Sequence, residues 1–196
     1  MIQRVEIKEL TERLKEPRKF IQVIVGPRQV GKTTMVTQAL EQIDIPHLFF
    51  SADNIFASDE WLAEKWQSAR LMVQSQELEQ LIVVIDEVQK IPNWSERVKK
   101  EWDLDTFNHL PIKLVLLGSS RLMIMNGLTE SLAGRFELIR MTHWTYSEMH
   151  EAFGWDLDTY IYYGGYPGAA EMIADEDRWR AYVENAILEA SINKDV

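Results

Sequence analysis

The nine residues Gly26-Pro27-Arg28-Gln29-Val30-Gly31-Lys32-Thr33-Thr34 constrain the fold of this chain more than any other stretch. They join a short, β-branched apolar run at 20–25 to a segment where Met35, Val36, Ala39, Leu40 and Ile43 recur at helical spacing. A strand that turns into a helix at once is half of a crossover unit, because parallel strands need a long connection and a helix supplies it. The remaining apolar runs extend that reading. Strands are predicted at 45–50, 81–85, 112–117 and 136–141, and the run at 81–85 is continuously apolar, as a strand buried on both faces should be. Between them the pattern predicts helices over 58–79, over 93–107 and, more briefly, over 129–133, stopped by Gly134. Asn93 with Glu96 three residues on reads as a capping pair for the second of these. Residues 2–16, with Val5, Leu10 and Leu14 among alternating charges, suit an exposed amphipathic helix. The predicted fold is α/β: a parallel five-stranded sheet flanked by helices.

After residue 141 the strand signal ceases. Thr145-Tyr146-Ser147-Glu148 is a capping box, and helices are expected at about 158–163, 168–174 and 177–192. The chain therefore divides into a core over 1–143 and a small C-terminal helical lobe over 144–196.

The glycines of the opening stretch explain its chemistry. Gly26-x-x-x-x-Gly31-Lys32-Thr33 fits the P-loop pattern, in the strand-to-helix setting that gives the pattern meaning. Glycines let backbone N–H groups of the loop, with Pro27, Arg28, Gln29 and Val30, wrap a phosphate without side chains intervening. The helix starting at Lys32 points its positive dipole end at the same anion. Lys32 is placed to reach the β- and γ-phosphates of a bound nucleotide, Thr33 to ligate Mg²⁺ and Thr34 to touch the α-phosphate. A second signal is independent: the strand at 81–85 ends in Asp86-Glu87. Asp86 at that strand end can hold the Mg²⁺, and Glu87 can polarise an attacking water as general base.

Composition excludes other classes. None of the 196 residues is cysteine, which removes disulfides, thiol catalysis and thiolate metal sites. With 21 basic against 31 acidic residues the net charge is −10, so the chain on average repels nucleic acid and anionic lipid; a nucleic-acid partner stays open only through a local basic patch. No apolar run approaches the ~18 residues of a membrane span, and MIQRVEIKEL is not a signal peptide, so the expected location is cytoplasmic, without membrane attachment. His47, His109, His143 and His150 show no metal-ligand spacing. Gly118-Ser119-Ser120 is not a nucleophile elbow. The seven tryptophans read as core or an inter-domain surface, with Trp94 set apart as a residue near the strand-end acids.

Together, "GPRQVGKTT", "LIVVIDEVQKIPNW", "LVLLGSS", "SLAGRFELIRM" and "GGYPGA" resemble the P-loop ATPases of the additional-strand, catalytic-glutamate division. More narrowly, the chain is similar to the prokaryotic AAA-type ATPases whose ATPase domain precedes a domain of unknown function. That resemblance implies a fourth strand inserted between the P-loop strand and the Asp86 strand. It implies a sensor role for Ser119 or Ser120 and an arginine finger at Arg135, with Arg121 a weaker competitor. The finger would serve self-association or a protein partner. It also implies contact of Tyr166 and Pro167 with the adenine base. The chain departs from the wider family in lacking a second sensor arginine in the helical lobe, and is expected to stop before a further C-terminal domain. The functional expectation is hydrolysis of Mg-ATP coupled to a conformational change or partner interaction. The alternatives are a nucleotide-gated switch binding ATP or ADP with negligible turnover, and a small-molecule kinase, for which no acceptor-binding signature is present.

Overall fold

A computed structural model describes residues 3–53, 59–119 and 121–188. Strands β1 (Ile21–Val25), β2 (His47–Ser51), β3 (Leu81–Asp86), β4 (Ile112–Gly118) and β5 (Phe136–Arg140) form one parallel sheet in the order β2-β3-β4-β1-β5. The fourth strand thus lies between the loop-bearing β1 and the acid-bearing β3, as the family resemblance implies.

Alternation along the central strands builds two cores, because successive side chains leave opposite faces of a sheet. Ile21, Val23 and Val25 of β1, Leu81, Val83 and Ile85 of β3, and Ile112, Leu114 and Leu116 of β4 point to one face. There they meet α3 (Asp59–Ser75), α4 (Trp94–Phe107) and α5 (Arg121–Ser131). Ile24, Ile82, Val84, Val115 and Leu117 point the other way, onto α1 (Glu6–Lys15) and α2 (Lys32–Leu40). β2 lies at the sheet's edge and alternates exposed and half-buried residues, so it lacks the continuous apolar run of the interior strands.

Four sequence expectations are corrected. The short helix expected at 129–133 is the end of α5, which begins at Arg121; Ile124, Leu128 and Leu132 form its buried stripe. Gly127 breaks that stripe's signal in sequence, and it is glycine because a Cβ there would stand 2.5 Å from Trp94. Asn93 precedes α4 with φ 51° and makes no capping bond, since that left-handed backbone turns its side chain away; Glu96 instead accepts from the Ser131 hydroxyl. Trp94 is no exception among the tryptophans, being buried in the sheet core and packed against Gly127. In α1 the buried positions are Ile7, Leu10 and Leu14, whereas Val5 is 80% exposed.

Past β5 the described residues are helical: α6 (Tyr146–Phe153), α7 (Leu157–Tyr163), a 3-10 turn at Pro167–Met172, α8 (Glu176–Tyr182) and a π-helical turn at Val183–Leu188. The Thr145–Glu148 capping box is formed in both directions. Met149, Trp155 and Ala170, with Trp144, Tyr160, Tyr163 and Ile173 packed on them, make a third apolar cluster separate from the two sheet cores.

Candidate active site

All five strands run the same way, so their carboxyl ends share one edge of the sheet. Val25 stands opposite Gly118, and the residues that follow β1, β3 and β4 meet there: Gly26, Glu87 and Ser119. The loop begins against the chain leaving β5. A Cβ on Gly26 would lie 2.5 Å from the Met141 carbonyl oxygen, which is why only glycine fits. Gly31, at φ 90°, turns the backbone into α2, and Gln29 also takes a left-handed conformation at φ 61°.

Lys32 is folded back onto its own loop, its Nζ donating to the carbonyls of Gly26 at 2.9 Å and Pro27 at 2.7 Å. Burial lowers its ammonium below the usual lysine range; Glu87 and Asp86 oppose that shift, and Arg28 adds to it. Thr33 donates its hydroxyl to Asp86 Oδ2 at 2.9 Å, and Asp86 Oδ1 accepts the Glu87 amide at 2.8 Å. Burial, the strongest influence, raises the Asp86 carboxyl; the Thr33 hydroxyl bond opposes it, and the Glu87 charge reinforces it.

The Thr33 and Asp86 oxygens suit Mg²⁺. The ion prefers hard oxygen ligands, and an octahedron with bonds of about 2.0–2.1 Å places neighbouring ligands ~2.9 Å apart. A cleft of about 320 Å³ opens over the loop, lined by Arg28, Gln29, Gly31, Lys32, Thr33, Thr34 and Glu87. Its floor is positive and its rim carries one free carboxylate edge, a shape suited to a polyphosphate and an attacking water.

The AAA domain model matches residues 18–150, about two thirds of the chain. The chain belongs to the AAA domain family. Its five-stranded parallel sheet is that of a P-loop, AAA-type ATPase fold. No curated protein was found to match the sequence. Among solved structures, the Walker-type ATPase of Pyrococcus abyssi is similar over 97% of this chain and 69% of its own, at 14% identity and a TM-score of 0.60. The RuvB Holliday junction branch migration motor of Thermotoga maritima is similar over 76% of this chain, at 18% identity and a TM-score of 0.53. The ORC1 protein of Aeropyrum pernix, solved in complex with DNA, covers the same share at 15% identity and a TM-score of 0.57. This chain spans about half the length of the latter two. At such identities the likeness is one of fold.

Within this AAA domain the predicted site residues separate into two groups. Gly26 through Thr34, Asp86, Glu87 and Ser119 converge on the cleft side of the sheet. Arg135 does not. Its carbonyl accepts from the Ile21 amide at 2.8 Å, at the amino end of β1, about 16 Å of strand away from the loop. There it pairs with both carboxylate oxygens of Asp103, at 2.8 and 3.1 Å, an interaction that raises its guanidinium further. Ser120 and the side chain of Arg121 lie outside the described residues. Tyr166 packs at a tilt on His143 with ring centroids 4.5 Å apart, and burial raises its phenol. A Cβ on Gly168, next to Pro167, would stand 3.7 Å from Gln29 Oε1, so this turn abuts the loop.

Three side chains with no sequence signal of function also reach the site. Trp144 Nε1 donates to the Val30 carbonyl at 3.1 Å, and the Tyr182 hydroxyl bonds Gln29, so the lobe grips the loop at two points. Gln89 lies beneath Glu87 and Ser119. Only its place two residues after the acid pair marks it in sequence.

Proposed function

We propose that this domain hydrolyses Mg-ATP and passes the result to its helical lobe. The convergence of Lys32, Thr33, Asp86 and Glu87 on one cleft carries the reading. The triphosphate enters over the loop, and Lys32 exchanges its two carbonyl partners for phosphate oxygens. Thr33 and Asp86 hold the Mg²⁺, which when bound offsets charge on the phosphates. Glu87 takes a proton from water as the water oxygen bonds the γ-phosphorus. The bond to the β–γ bridging oxygen breaks, its electron pair leaving on ADP, and the proton passes on to phosphate or solvent. Most of the catalysis is positioning and charge stabilisation.

Arg135, set on the opposite edge from its own loop, faces a neighbouring subunit or partner in this proposal. Tyr166 and Pro167, on the turn beside Gln29, face the base. The first 143 residues act as the catalytic core and the remainder as the responding lobe, in a cytoplasmic setting. Among the described residues no helix is long and apolar enough to cross a membrane.

A second reading, a nucleotide-gated switch with negligible turnover, is favoured by one observation: Trp144 and Tyr182 bind the loop directly, so loop movement on nucleotide binding reaches the lobe without hydrolysis. Phosphate release by wild type and Glu87→Gln separates the two. Hydrolysis predicts that the variant binds ATP as wild type does but turns over about 10²–10⁴-fold more slowly. Retained ADP with no turnover in wild type supports the switch, and equal rates well above background in both proteins remove Glu87 as the base.

A further inference from the structure

The Glu87 carboxylate is not left to orient itself. Its Oε2 accepts two hydrogen bonds, from the Ser119 hydroxyl at 2.9 Å and from the Gln89 amide Nε2. The second hydrogen of that amide reaches Ser119 Oγ at 3.4 Å, closing a three-membered ring of side chains. Among the described residues nothing else engages Glu87 Oε1, and Glu87 lines the cleft over the loop. Two donors on one oxygen leave the other as the basic edge.

Gln89 is built into its place. It is 7% exposed and sits on the 3-10 turn Val88–Lys90, which follows directly from the left-handed Glu87 at φ 53°. That reversal brings the side chain two residues on back beneath the acid. Its Oε1 is buried without a partner, and a Cβ on Gly118 would lie 2.7 Å from it, so the end of β4 closes over the amide. The opposite amide orientation would set Oε1 against the Glu87 carboxylate, which fixes which end faces the acid. An unpaired buried oxygen costs stability. A leucine of similar size would avoid that cost. The side chain's contribution therefore lies in its two donors rather than in packing.

We propose that Gln89 is a positioning residue for hydrolysis: with Ser119 it saturates Glu87 Oε2 and aims Oε1 at the attacking water. This rests on Glu87 being the base. It also gives Ser119 a different task from a γ-phosphate sensor, since its proton is directed to Glu87.

The test compares wild type, Q89L, E87Q and the double variant by thermal midpoint, ATP affinity from calorimetry, and single-turnover and steady-state phosphate release. Q89L keeps the volume under Gly118 and removes both donors. It is expected to unfold at or above the wild-type temperature and to bind ATP within about twofold of wild type. Its kcat should fall about 10- to 100-fold. In the E87Q background the same substitution should cost nothing further, because there is no carboxylate left to aim. Wild-type kcat in Q89L overturns the proposal, as does an equal fold-loss on top of E87Q or a loss that tracks weakened ATP binding. Should Q89L fail to fold, Q89E, of the same length but without the amide donors, must show the same loss of kcat with retained affinity; wild-type turnover there overturns the proposal equally. Turnover unaffected by E87Q would instead remove Glu87 as the base, and this proposal with it, while leaving hydrolysis itself standing.

Discussion

With Nζ on the carbonyls of Gly26 and Pro27, Lys32 spends its charge on its own loop, and Thr33 and Asp86 likewise bind each other. Under the proposed function a nucleotide with Mg²⁺ would replace these internal bonds with stronger ones at a site already formed in outline. Asp86 is the strained member. Its folded-state carboxyl is raised above the unfolded value, so between the two values the native state binds more protons and stability falls as pH rises. Above that window the ionised Asp86 costs stability. Asp86→Asn is therefore expected to raise the midpoint of the nucleotide-free protein at neutral pH by ~1–3 °C, a small gain because solvent still screens the half-buried group. The gain should shrink as pH falls through the raised value and vanish below the ordinary carboxylate range, while Mg²⁺-dependent ATP binding is lost at every pH. Thermal scans across pH check this; a variant less stable than wild type at neutral pH would contradict it. The shared placement of Lys32, Thr33 and Asp86 was legible in sequence because the loop and the strand-end acid occur at fixed points of the strand-to-helix pattern. Gln89 was not, because its reach depends on the positive φ of Glu87, and no local pattern announces that.

Among the elements, α3 and α4 are joined through buried charge rather than apolar contact alone. Asp105, fully buried, accepts from Trp66 Nε1 at 2.6 Å and Arg70 Nε at 2.7 Å, and Arg70 also pairs with Glu101 at 2.7 Å. Nearby, Arg18 lies over the Trp102 ring and donates to Thr106 and to the Ile112 carbonyl, tying the start of β1 to α4 and β4. Removing one partner of such a cluster leaves the other charged and desolvated. Asp105→Ala should cost about 3–5 kcal/mol in chemical denaturation, against ~1 kcal/mol for losing the Thr145 cap of α6 by Thr145→Ala. Comparable costs for both would mean that the cluster adds nothing beyond an ordinary surface bond. The buried strands β1, β3 and β4 were readable from apolar runs, which only Gln22 and Lys113 interrupt in β1 and β4, since burial on both faces favours an apolar composition. α5 was truncated in sequence because Gly127, required by Trp94, resembles a break, and the αL entry to α4 imitated a cap, Glu96 accepting from the Ser131 hydroxyl instead.

For the molecule as a whole, the proposed function requires the lobe and the two sheet edges to communicate. Arg4, buried at the start of α1, bonds the Thr142 carbonyl and pairs with Glu148 at 3.0 Å, fastening α6 to the core. Trp144 and Tyr182 then carry the lobe onto the loop. None of these contacts has a sequence signature, because each joins residues more than a hundred positions apart. Arg135 sits too far from its own loop to serve it, so its proposed action needs a second copy or a partner. If a second copy supplies it, mixing Lys32→Ala with Arg135→Ala, each inactive alone, restores turnover to a fraction of the wild-type rate, since the first offers its arginine to the intact loop of the second. A mixture as inactive as its parts would refute exchange between copies. Each of these ideas presupposes that the loop from Gly26 to Thr34 captures a triphosphate. Calorimetric titration of ATP with Mg²⁺ into folded wild type and into Lys32→Ala measures that directly. The expected result is saturable binding with a Kd below ~1 mM, weakened about 10- to 100-fold by the substitution. No saturable heat with ATP or ADP in the folded wild-type protein, or equal affinity in both proteins, would contradict it.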